Sequence, residues 1–221
     1  MKKILIAFAL LFSFIAPVGA QNYDQEELIN INVYEKISPA IVSVEAQLSD
    51  GISEGTGCIV SNNGLILTGW HVIEGAKTIN VTTSNGHTYK AKFVAKMNDK
   101  RDLALLKITP EEDLKTVSFG DSEEVKVGQK VLSIGNPFGF SNTLTQGIIS
   151  RIDYVKNRFQ TDAAINPGCS GGPILNTTGE VIGISQSIYN PDHNISNIGI
   201  GFAIPSNDAV KFIATVDKSK I

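Results

Sequence analysis

The chain has 221 residues, 42% of them hydrophobic and 19% charged, with 20 glycines and 8 prolines. These proportions are ordinary for a globular protein and exclude a disordered or fibrous chain. The formal net charge is −3, and no long run of lysine or arginine marks a face that could follow phosphates. Nucleic acid is therefore not an expected partner.

The first 20 residues are typical of an export signal. Lys2 and Lys3 give a positive start, and residues 4–15 are apolar apart from one serine. Pro17 ends this stretch, and the small residues at 18–20 suit a cleavage site. The stretch is shorter than the roughly 20 residues that span a bilayer, which favours cleavage over an uncleaved membrane anchor. We therefore expect a periplasmic or secreted protein with no stable membrane insertion after cleavage.

Two-residue hydrophobic periodicity dominates the rest of the chain. Apolar runs that flank turn residues predict β hairpins. The paired runs are 58–60 with 65–67, 79–82 with 89–94, and 174–175 with 181–182. Further strands are predicted at 130–134 and 144–152. Many short strands at this spacing are typical of an all-β barrel or sandwich.

Helices are predicted near the two ends of this β region. Residues 27–37 have a helical pattern before the first strand. Residues 206–216 have another, with Ser206 as a candidate N-cap and several apolar residues behind it.

The same patterns divide the chain into segments. After the signal come an N-terminal segment at 21–37, the strand-rich region, and a C-terminal helix and tail at 206–221. A polar break near residues 110–120 separates two halves of the strand-rich region.

Cys58 and Cys169 are the two cysteines of the chain, so at most one disulfide can form. A small fold stapled by several disulfides is excluded, and a hydrophobic core must supply the stability. The sequence is compatible with a Cys58–Cys169 bridge and with two buried free thiols, because it does not reveal the Cα separation that a bridge requires.

The strongest chemical signal is Ser170, which lies in Asn-Pro-Gly-Cys-Ser-Gly-Gly-Pro at residues 166–173. Glycines on both sides allow a tight backbone path that exposes the hydroxyl and directs main-chain NH groups into one concavity. This arrangement suits attack on a carbonyl. A serine nucleophile also needs a base and a group that orients the base.

Three histidines are candidates for the base. His87 lies beside a turn and His193 lies in a polar segment, so both are interpreted as solvated. His71 follows a buried strand, where its imidazole can be held in place. Asp102 heads the apolar run 103–108 and is the candidate orienting acid. Taken alone, such a histidine would more often be structural, and such an aspartate would most often be a solvated strand end.

Chain order discriminates among the hydrolase classes. The glycines around Ser170 also fit the nucleophile turn of α/β-hydrolases, but that class places its acid and histidine after the serine, where only 51 residues follow. The subtilisin order would use Asp50, which lies in a turn-like run. The order His71, Asp102, Ser170 in an all-β chain is that of chymotrypsin.

Several ordered motifs make the chain resemble the HtrA branch of the chymotrypsin-type serine proteases. They lie at 68–73, 102–108, 135–139, 160–168 and 201–205. The resemblance implies an all-β fold of two six-stranded antiparallel barrels, with a short N-terminal and a C-terminal helix and the cleft between the barrels. It also implies that residues 38–205 form the protease domain.

The resemblance assigns catalytic roles to four residues. Ser170 would be the nucleophile, and His71 the general base and then the general acid. Asp102 would orient the imidazole and stabilise its cation. The backbone NH groups of Gly168 and Ser170 would form the oxyanion hole.

Substrate-binding residues are also implied. Ala164 and Ile165 would line the first pocket, and no carboxylate stands where a trypsin-like pocket would hold one. We therefore expect cleavage after a small or medium aliphatic residue. Ser185 and Ser187 lie in the strand along which a substrate peptide would pair, although Ser185 could instead donate to Asp102.

Cys169 departs from the family pattern, which has an acid or asparagine before the serine. A cysteine cannot pair with a newly cut, charged amino terminus, so activation by terminus insertion is not expected.

Two functions remain after these observations. The first is an exported serine endopeptidase that hydrolyses unfolded or damaged polypeptides, and the second is a peptide-binding module or holdase without turnover. We expect no PDZ domain in this chain, and the resemblance allows a homotrimer formed through residues 23–34. No metal-ligand spacing occurs, and no cofactor is implied.

Overall fold

The computed structural model describes residues 22–97, 101–188 and 197–216. The predicted export signal, His193 and residues 217–221 lie outside these ranges. Within them, no helix has the length and apolar character needed to cross a bilayer.

The described residues form helices near the ends and strands between them. The helices are α1 (Gln25–Ile37), α2 (Trp70–Ile73) and α3 (Ser206–Ala214), with short 3-10 turns at Ser38–Ala40 and Pro137–Gly139. The first seven strands are β1 (Ile41–Gln47), β2 (Ile52–Ser61), β3 (Leu65–Gly69), β4 (Thr78–Thr82), β5 (Thr88–Lys90), β6 (Lys92–Lys96) and β7 (Leu103–Lys107). The other seven are β8 (Ser118–Phe119), β9 (Lys130–Gly135), β10 (Thr143–Asp153), β11 (Arg158–Thr161), β12 (Pro173–Leu175), β13 (Glu180–Ile188) and β14 (Gly201–Pro205).

The first sheet has the strand order β5-β4-β1-β2-β3-β7-β6. Its two edge strands are consecutive in the chain and separated only by Ala91, whose NH donates to the carbonyl of Ile79 (2.8 Å). The sheet therefore curls towards closure. The strand predicted at 89–94 is divided at Ala91, because its first part pairs with β4 and its second part with β7.

The second sheet has the order β12-β9-β10-β11-β14-β13-β8, and β12 also pairs with β13. This extra pairing closes six antiparallel strands into a barrel. Strand β8 adds a seventh strand, parallel to β13. The structure thus confirms an all-β fold with two barrel-like sheets, of which the second closes by hydrogen bonding.

Strands β3 and β7 are buried on both faces, which explains their uninterrupted apolar sequence. Leu65, Leu67 and Leu105 pack in a cluster shared with strands of the second sheet, whereas Ile66 and Leu106 pack inside the first sheet. These strands are therefore fixed from both sides, and the residues at their ends inherit that rigidity.

Helix α1 begins two residues earlier than predicted. Asp24 is its N-cap, with Glu27 donating its NH to the Asp24 carboxylate (2.8 Å) and accepting the Asp24 NH in return (2.8 Å). Val33 and Ile37 are the buried residues of the helix and pack in the cluster shared by the two sheets.

The prediction that Ser206 caps the C-terminal helix is wrong. Pro205 occupies the N-cap position, and the Ser206 hydroxyl donates to the carbonyl of Gly120 (2.7 Å) instead. Asp208 on α3 pairs with Arg101 (2.7 Å), which lies two residues before β7 begins. Helix α3 therefore joins the second sheet to the first.

Candidate active site

Strand pairing brings His71 and Asp102 together. Gly69 at the end of β3 is paired with Leu103 at the start of β7. His71 follows Gly69 by two residues on α2, and Asp102 immediately precedes Leu103. The NH of Trp70 donates to the carbonyl of Asp102 (3.1 Å), which ties the two chain ends further.

The Asp102 carboxylate accepts two hydrogen bonds from His71. Its Oδ1 accepts the backbone NH (2.7 Å), and its Oδ2 faces the ring Nδ1 in close contact. An ionised carboxylate can only accept, so Nδ1 carries the proton and Nε2 is left as the basic nitrogen. The His71 side chain is 46% exposed, whereas that of Asp102 is only 16% exposed. The pair is thus buried at the acid and open at the base.

The segment that carries Ser170 requires glycine at two positions. Gly168 has φ +96° and Gly171 has φ +86°, both in the left-handed region. A Cβ on Gly168 would lie 2.4 Å from the carbonyl oxygen of Asn136, and one on Gly171 would lie 2.3 Å from that of Thr56. Neither position can therefore accept a side chain without backbone movement.

Two backbone NH groups of this segment have no protein acceptor among the described residues, those of Gly168 and Ser170. Their neighbours are occupied, because Cys169 donates its NH to the carbonyl of Asn166 (2.9 Å) and Gly171 donates to that of Ser185 (2.8 Å). Two unpaired NH groups two residues apart can bind a single oxyanion.

His71 and Ser170 line the same open cleft, with a volume of about 290 Å³. The other lining residues are Ile165, Asn166, Pro167, Gln186 and Ile188. The Ser170 hydroxyl donates to the carbonyl of Gln186 (3.3 Å) rather than to His71. A hydrogen bond between a catalytic hydroxyl and its base is often long before substrate binds and shortens in the complex.

The sequence prediction for the pocket residues is only partly matched by the structure. Ile165 lines the cleft, whereas Ala164 is exposed outside it and its carbonyl accepts from the Thr145 hydroxyl (3.1 Å). Ala164 is therefore not brought to the same cavity as Ser170.

Ser185 does not lie in the cleft either. It is 1% exposed, and its hydroxyl has no hydrogen-bond partner, so the suggested donation to Asp102 is absent. Gln186, its neighbour on β13, lines the cleft instead, because successive strand residues point to opposite faces. The expectation that a substrate peptide pairs along this strand concerns the strand backbone and stays a prediction. Ser187 belongs to β13 opposite Phe202, and its side chain is not described.

Both cysteines are buried free thiols, so the Cys58–Cys169 disulfide is not formed. Of the two arrangements compatible with the sequence, the structure has the free thiols. Burial raises the pKa of each thiol above its ordinary value. Cys58 contacts the Gly171 carbonyl (Sγ to O, 3.7 Å), and Cys169 packs against Gly135, where an added Cβ would lie 3.2 Å from its Sγ. The thiols therefore act as small packing groups around the serine segment.

Sequence reasoning missed Thr56. This residue is fully buried on β2, and its hydroxyl donates to the carbonyl of Gly168 (2.6 Å) while accepting the NH of Asn136 (3.0 Å). The one available signal was a polar residue between Gly55 and Gly57 in an apolar strand. Its partner lies 112 positions away, which no local pattern reveals.

Comparisons with known proteins identify the family of the chain. Residues 55–184 match the family model described as a trypsin-like peptidase domain. The chain is 44% identical over 198 residues to the probable periplasmic serine endoprotease DegP-like of Rickettsia prowazekii (strain Madrid E), covering 85% of this chain and 38% of that protein. It is 44% identical over 186 residues to the magnetosome formation protease MamE of Paramagnetospirillum magneticum (strain ATCC 700264 / AMB-1), covering 80% of this chain and 24% of that protein.

Solved structures give the same result. The HtrA-type protease AlgW with tripeptide superposes with a TM-score of 0.77 at 36% identity, covering 84% of this chain and 62% of that one. The serine endoprotease from Yersinia pestis superposes with a TM-score of 0.74 at 38% identity, covering 84% of this chain and 65% of that one. The chain thus spans less than two thirds of these relatives. It belongs to the trypsin-like peptidase family and is similar to its HtrA-type, DegP-like members.

Proposed function

We propose that the protein is a serine endopeptidase in which Ser170, His71 and Asp102 act as the catalytic triad. The observation that carries this proposal is one cleft lined by both Ser170 and His71, with His71 fixed by two hydrogen bonds to Asp102. Residue types, chain order and backbone geometry agree on the same three side chains.

The proposed reaction is acyl transfer in two steps. Ser170 Oγ attacks the substrate carbonyl while His71 Nε2 accepts the hydroxyl proton, and Asp102 stabilises the imidazolium that results. The imidazolium then protonates the leaving amine, and water delivered through the same base releases the acyl group. The NH groups of Gly168 and Ser170 would bind the oxyanion, a contribution of about 3 kcal/mol per donor.

The lining of the cleft supports a preference for aliphatic side chains. Ile165 and Ile188 are apolar, and no carboxylate is among the lining residues in the described part of the chain. A basic side chain would have no partner of opposite charge there. We therefore propose cleavage after small or medium aliphatic residues, and mapping of product termini would test it, since cleavage mainly after lysine or arginine contradicts it.

We further propose that the substrates are unfolded or damaged polypeptides in the periplasm or outside the cell. An open cleft between two barrels accepts an extended chain more readily than a folded surface. The DegP-like relatives are named as periplasmic, which supports this compartment.

We also propose a homotrimer formed through residues 23–34. The exposure of Tyr23 and Leu28 on this segment supports it. Light scattering on the purified protein would test it.

The direct test compares the wild-type protein with Ser170→Ala on one polypeptide supplied in native and in unfolded form. We expect wild type to cleave the unfolded form and Ser170→Ala to cleave neither. A non-catalytic holdase is the second candidate, favoured by the donation of the Ser170 hydroxyl to Gln186 rather than to His71. If the protein is a holdase, wild type and Ser170→Ala should suppress aggregation of the unfolded polypeptide equally, and neither should cleave it.

A further inference from the structure

The carbonyl groups at residues 167–170 all accept hydrogen bonds, and this sets the direction of the NH groups that lack a protein acceptor. The carbonyl of Pro167 accepts the NH of Phe138 (3.0 Å), and that of Cys169 accepts the NH of Gly172 (3.0 Å). In a trans peptide the C=O and the following N–H point in opposite directions. The NH groups of Gly168 and Ser170 are therefore directed away from these contacts.

Thr56 binds the carbonyls of Gly168 and Ser170, which alternate with those of Pro167 and Cys169. Its hydroxyl donates to the Gly168 carbonyl (2.6 Å), and its backbone NH donates to the Ser170 carbonyl (2.9 Å). Thr56 lies on β2 of the first sheet, whereas the segment it holds leads into β12 of the second sheet. A single residue of one barrel thus fixes alternate peptide planes of a segment in the other.

The hydroxyl of Thr56 is itself oriented. It accepts the backbone NH of Asn136 (3.0 Å), and the Asn136 side chain lies within 3.3 Å of it while also donating to the carbonyl of Val42 (3.0 Å). Because the acceptor positions of the oxygen face Asn136, its one proton is directed to Gly168. Thr56 and Asn136 are 0% and 4% exposed, so water does not replace these bonds readily.

We propose that the Thr56 hydroxyl is a positioning group for the oxyanion hole, an inference that rests on the proposed endopeptidase function. The peptide planes on either side of Gly168 are held by Phe138 and by Thr56, and together they impose its φ of +96°. Without the hydroxyl, the buried Gly168 carbonyl has no donor and its peptide plane rotates to find one. That plane also carries the Cys169 NH, which donates to the carbonyl of Asn166 (2.9 Å), and it links the Gly168 and Cys169 Cα atoms. Its rotation therefore distorts the turn and changes how the Gly168 and Ser170 NH groups, one on each side of it, point relative to each other.

The test substitutes Thr56→Val, which keeps the shape and the backbone NH but removes the hydroxyl. We expect kcat on a quenched peptide, and the rate of fluorophosphonate labelling of Ser170, to fall roughly 10- to 100-fold, somewhat less than loss of a whole oxyanion donor. KM should change little, because ground-state binding along the cleft is retained. Thr56→Ser should restore both rates.

Thr83→Val is the matched control. Thr83 is also a buried threonine of the first barrel, and its hydroxyl donates to Oδ1 of Asn85 (2.6 Å), with the carbonyl of His87 as a second acceptor in range (3.0 Å). This variant should lose stability but keep the wild-type kcat, which separates a general loss of stability from an effect on the reaction. If Thr56→Val does not fold by circular dichroism, Thr56→Ala and Thr56→Ser are compared instead.

The outcomes separate the two proposals. The role of Thr56 is overturned if wild type is active and Thr56→Val, or its replacement Thr56→Ala, has the same kcat as Thr83→Val. This result leaves the endopeptidase proposal intact. Loss of kcat in Thr56→Ser equal to that in Thr56→Ala has the same meaning. A wild-type protein that neither cleaves peptide nor reacts with the fluorophosphonate overturns both proposals.

Discussion

The two halves of the candidate site are held in different ways. The half with His71 and Asp102 lies within one sheet, at the adjoining ends of β3 and β7, and its hydrogen bonds join neighbouring strands. The half with Ser170 lies on a segment of the second sheet whose carbonyls are bound by Thr56 of the first. The candidate base, His71, is therefore positioned by the strand register of one barrel, and the candidate nucleophile, Ser170, by the packing of the two barrels.

Because of this difference, a substitution should affect one half of the site more than the other. Changes at the barrel interface should disturb the Ser170 segment first and leave the His71–Asp102 pair intact. Changes within the first barrel's rim should do the reverse. The variants below test this separation, in order of decreasing effect.

Asp102→Asn should have the largest effect. The amide cannot hold a proton on His71 Nδ1 as a carboxylate does, so Nε2 is no longer reliably the basic nitrogen. We expect kcat to fall by about 10⁴, as in other triads, with the thermal unfolding midpoint nearly unchanged. A variant that keeps more than a tenth of the wild-type kcat would show that the pair does not orient the base.

Gly168→Ala tests the other half. The new Cβ would meet the Asn136 carbonyl at 2.4 Å in a backbone with φ +96°. We expect loss of labelling at Ser170 and destabilisation above the ~1–2 kcal/mol of a left-handed backbone alone.

Gly128→Ala measures that baseline, because Gly128 has φ +87° and nothing within 4 Å of an added Cβ. Urea unfolding of both variants gives the comparison. Equal destabilisation of the two, with labelling retained in Gly168→Ala, would contradict the close approach to Asn136.

The contrast between the halves also explains which features could be predicted from the sequence and which could not. Hairpins such as β2–β3 and β12–β13 were predicted because their turns and alternation are local. Chain order and the motifs around His71, Asp102 and Ser170 identified the residues that the structure brings together. Thr56 was missed because its partner Gly168 is 112 positions distant, so its role depends on how two barrels pack.

Two side chains were not determined by the local sequence. Ser185 was suggested as a donor to Asp102, but its side chain is buried without a partner while Gln186 lines the cleft, and the β13–β14 pairing is irregular at this point. Ser206 was taken as a helix cap, but its hydroxyl has a tertiary acceptor in Gly120. For Ser206, a contact from another element decided between two locally acceptable arrangements.

Asp208→Asn tests the link between α3 and the first sheet. The Asp208 side chain is 7% exposed and pairs with Arg101, next to Asp102. Loss of this charged hydrogen bond should destabilise the fold by about 1.5–3 kcal/mol. Because this ion pair takes no part in the Thr56 bonds to the Ser170 segment or in the Asp102 bonds to His71, kcat should stay near the wild-type value. A kcat that falls with stability intact would contradict the separation of the two halves.

Glu180→Gln should have the smallest effect. Hydrogen bonds from Asn176 and then Thr178 hold the pKa of the Glu180 carboxyl below its ordinary value of 4.5. Such a carboxylate stabilises the fold above the unfolded-state pKa, and this contribution is lost as pH falls through the lower, folded value. The variant should therefore unfold at a lower temperature than wild type at neutral pH.

The difference between the two proteins should shrink as pH falls below 4.5, and kcat should be unaffected. Thermal unfolding across this pH range provides the measurement. A difference that grows towards acid would reverse the sign of the assigned pKa shift.

The most direct measurement of the account is the site and rate of fluorophosphonate labelling, followed by mass spectrometry of peptides. We expect one label on each wild-type chain, attached to Ser170, none on Ser170→Ala, and much slower labelling of His71→Ala. Labelling of another residue, no labelling of the folded wild-type protein, or an unchanged rate in His71→Ala would contradict the assignment of Ser170 as a nucleophile activated by His71.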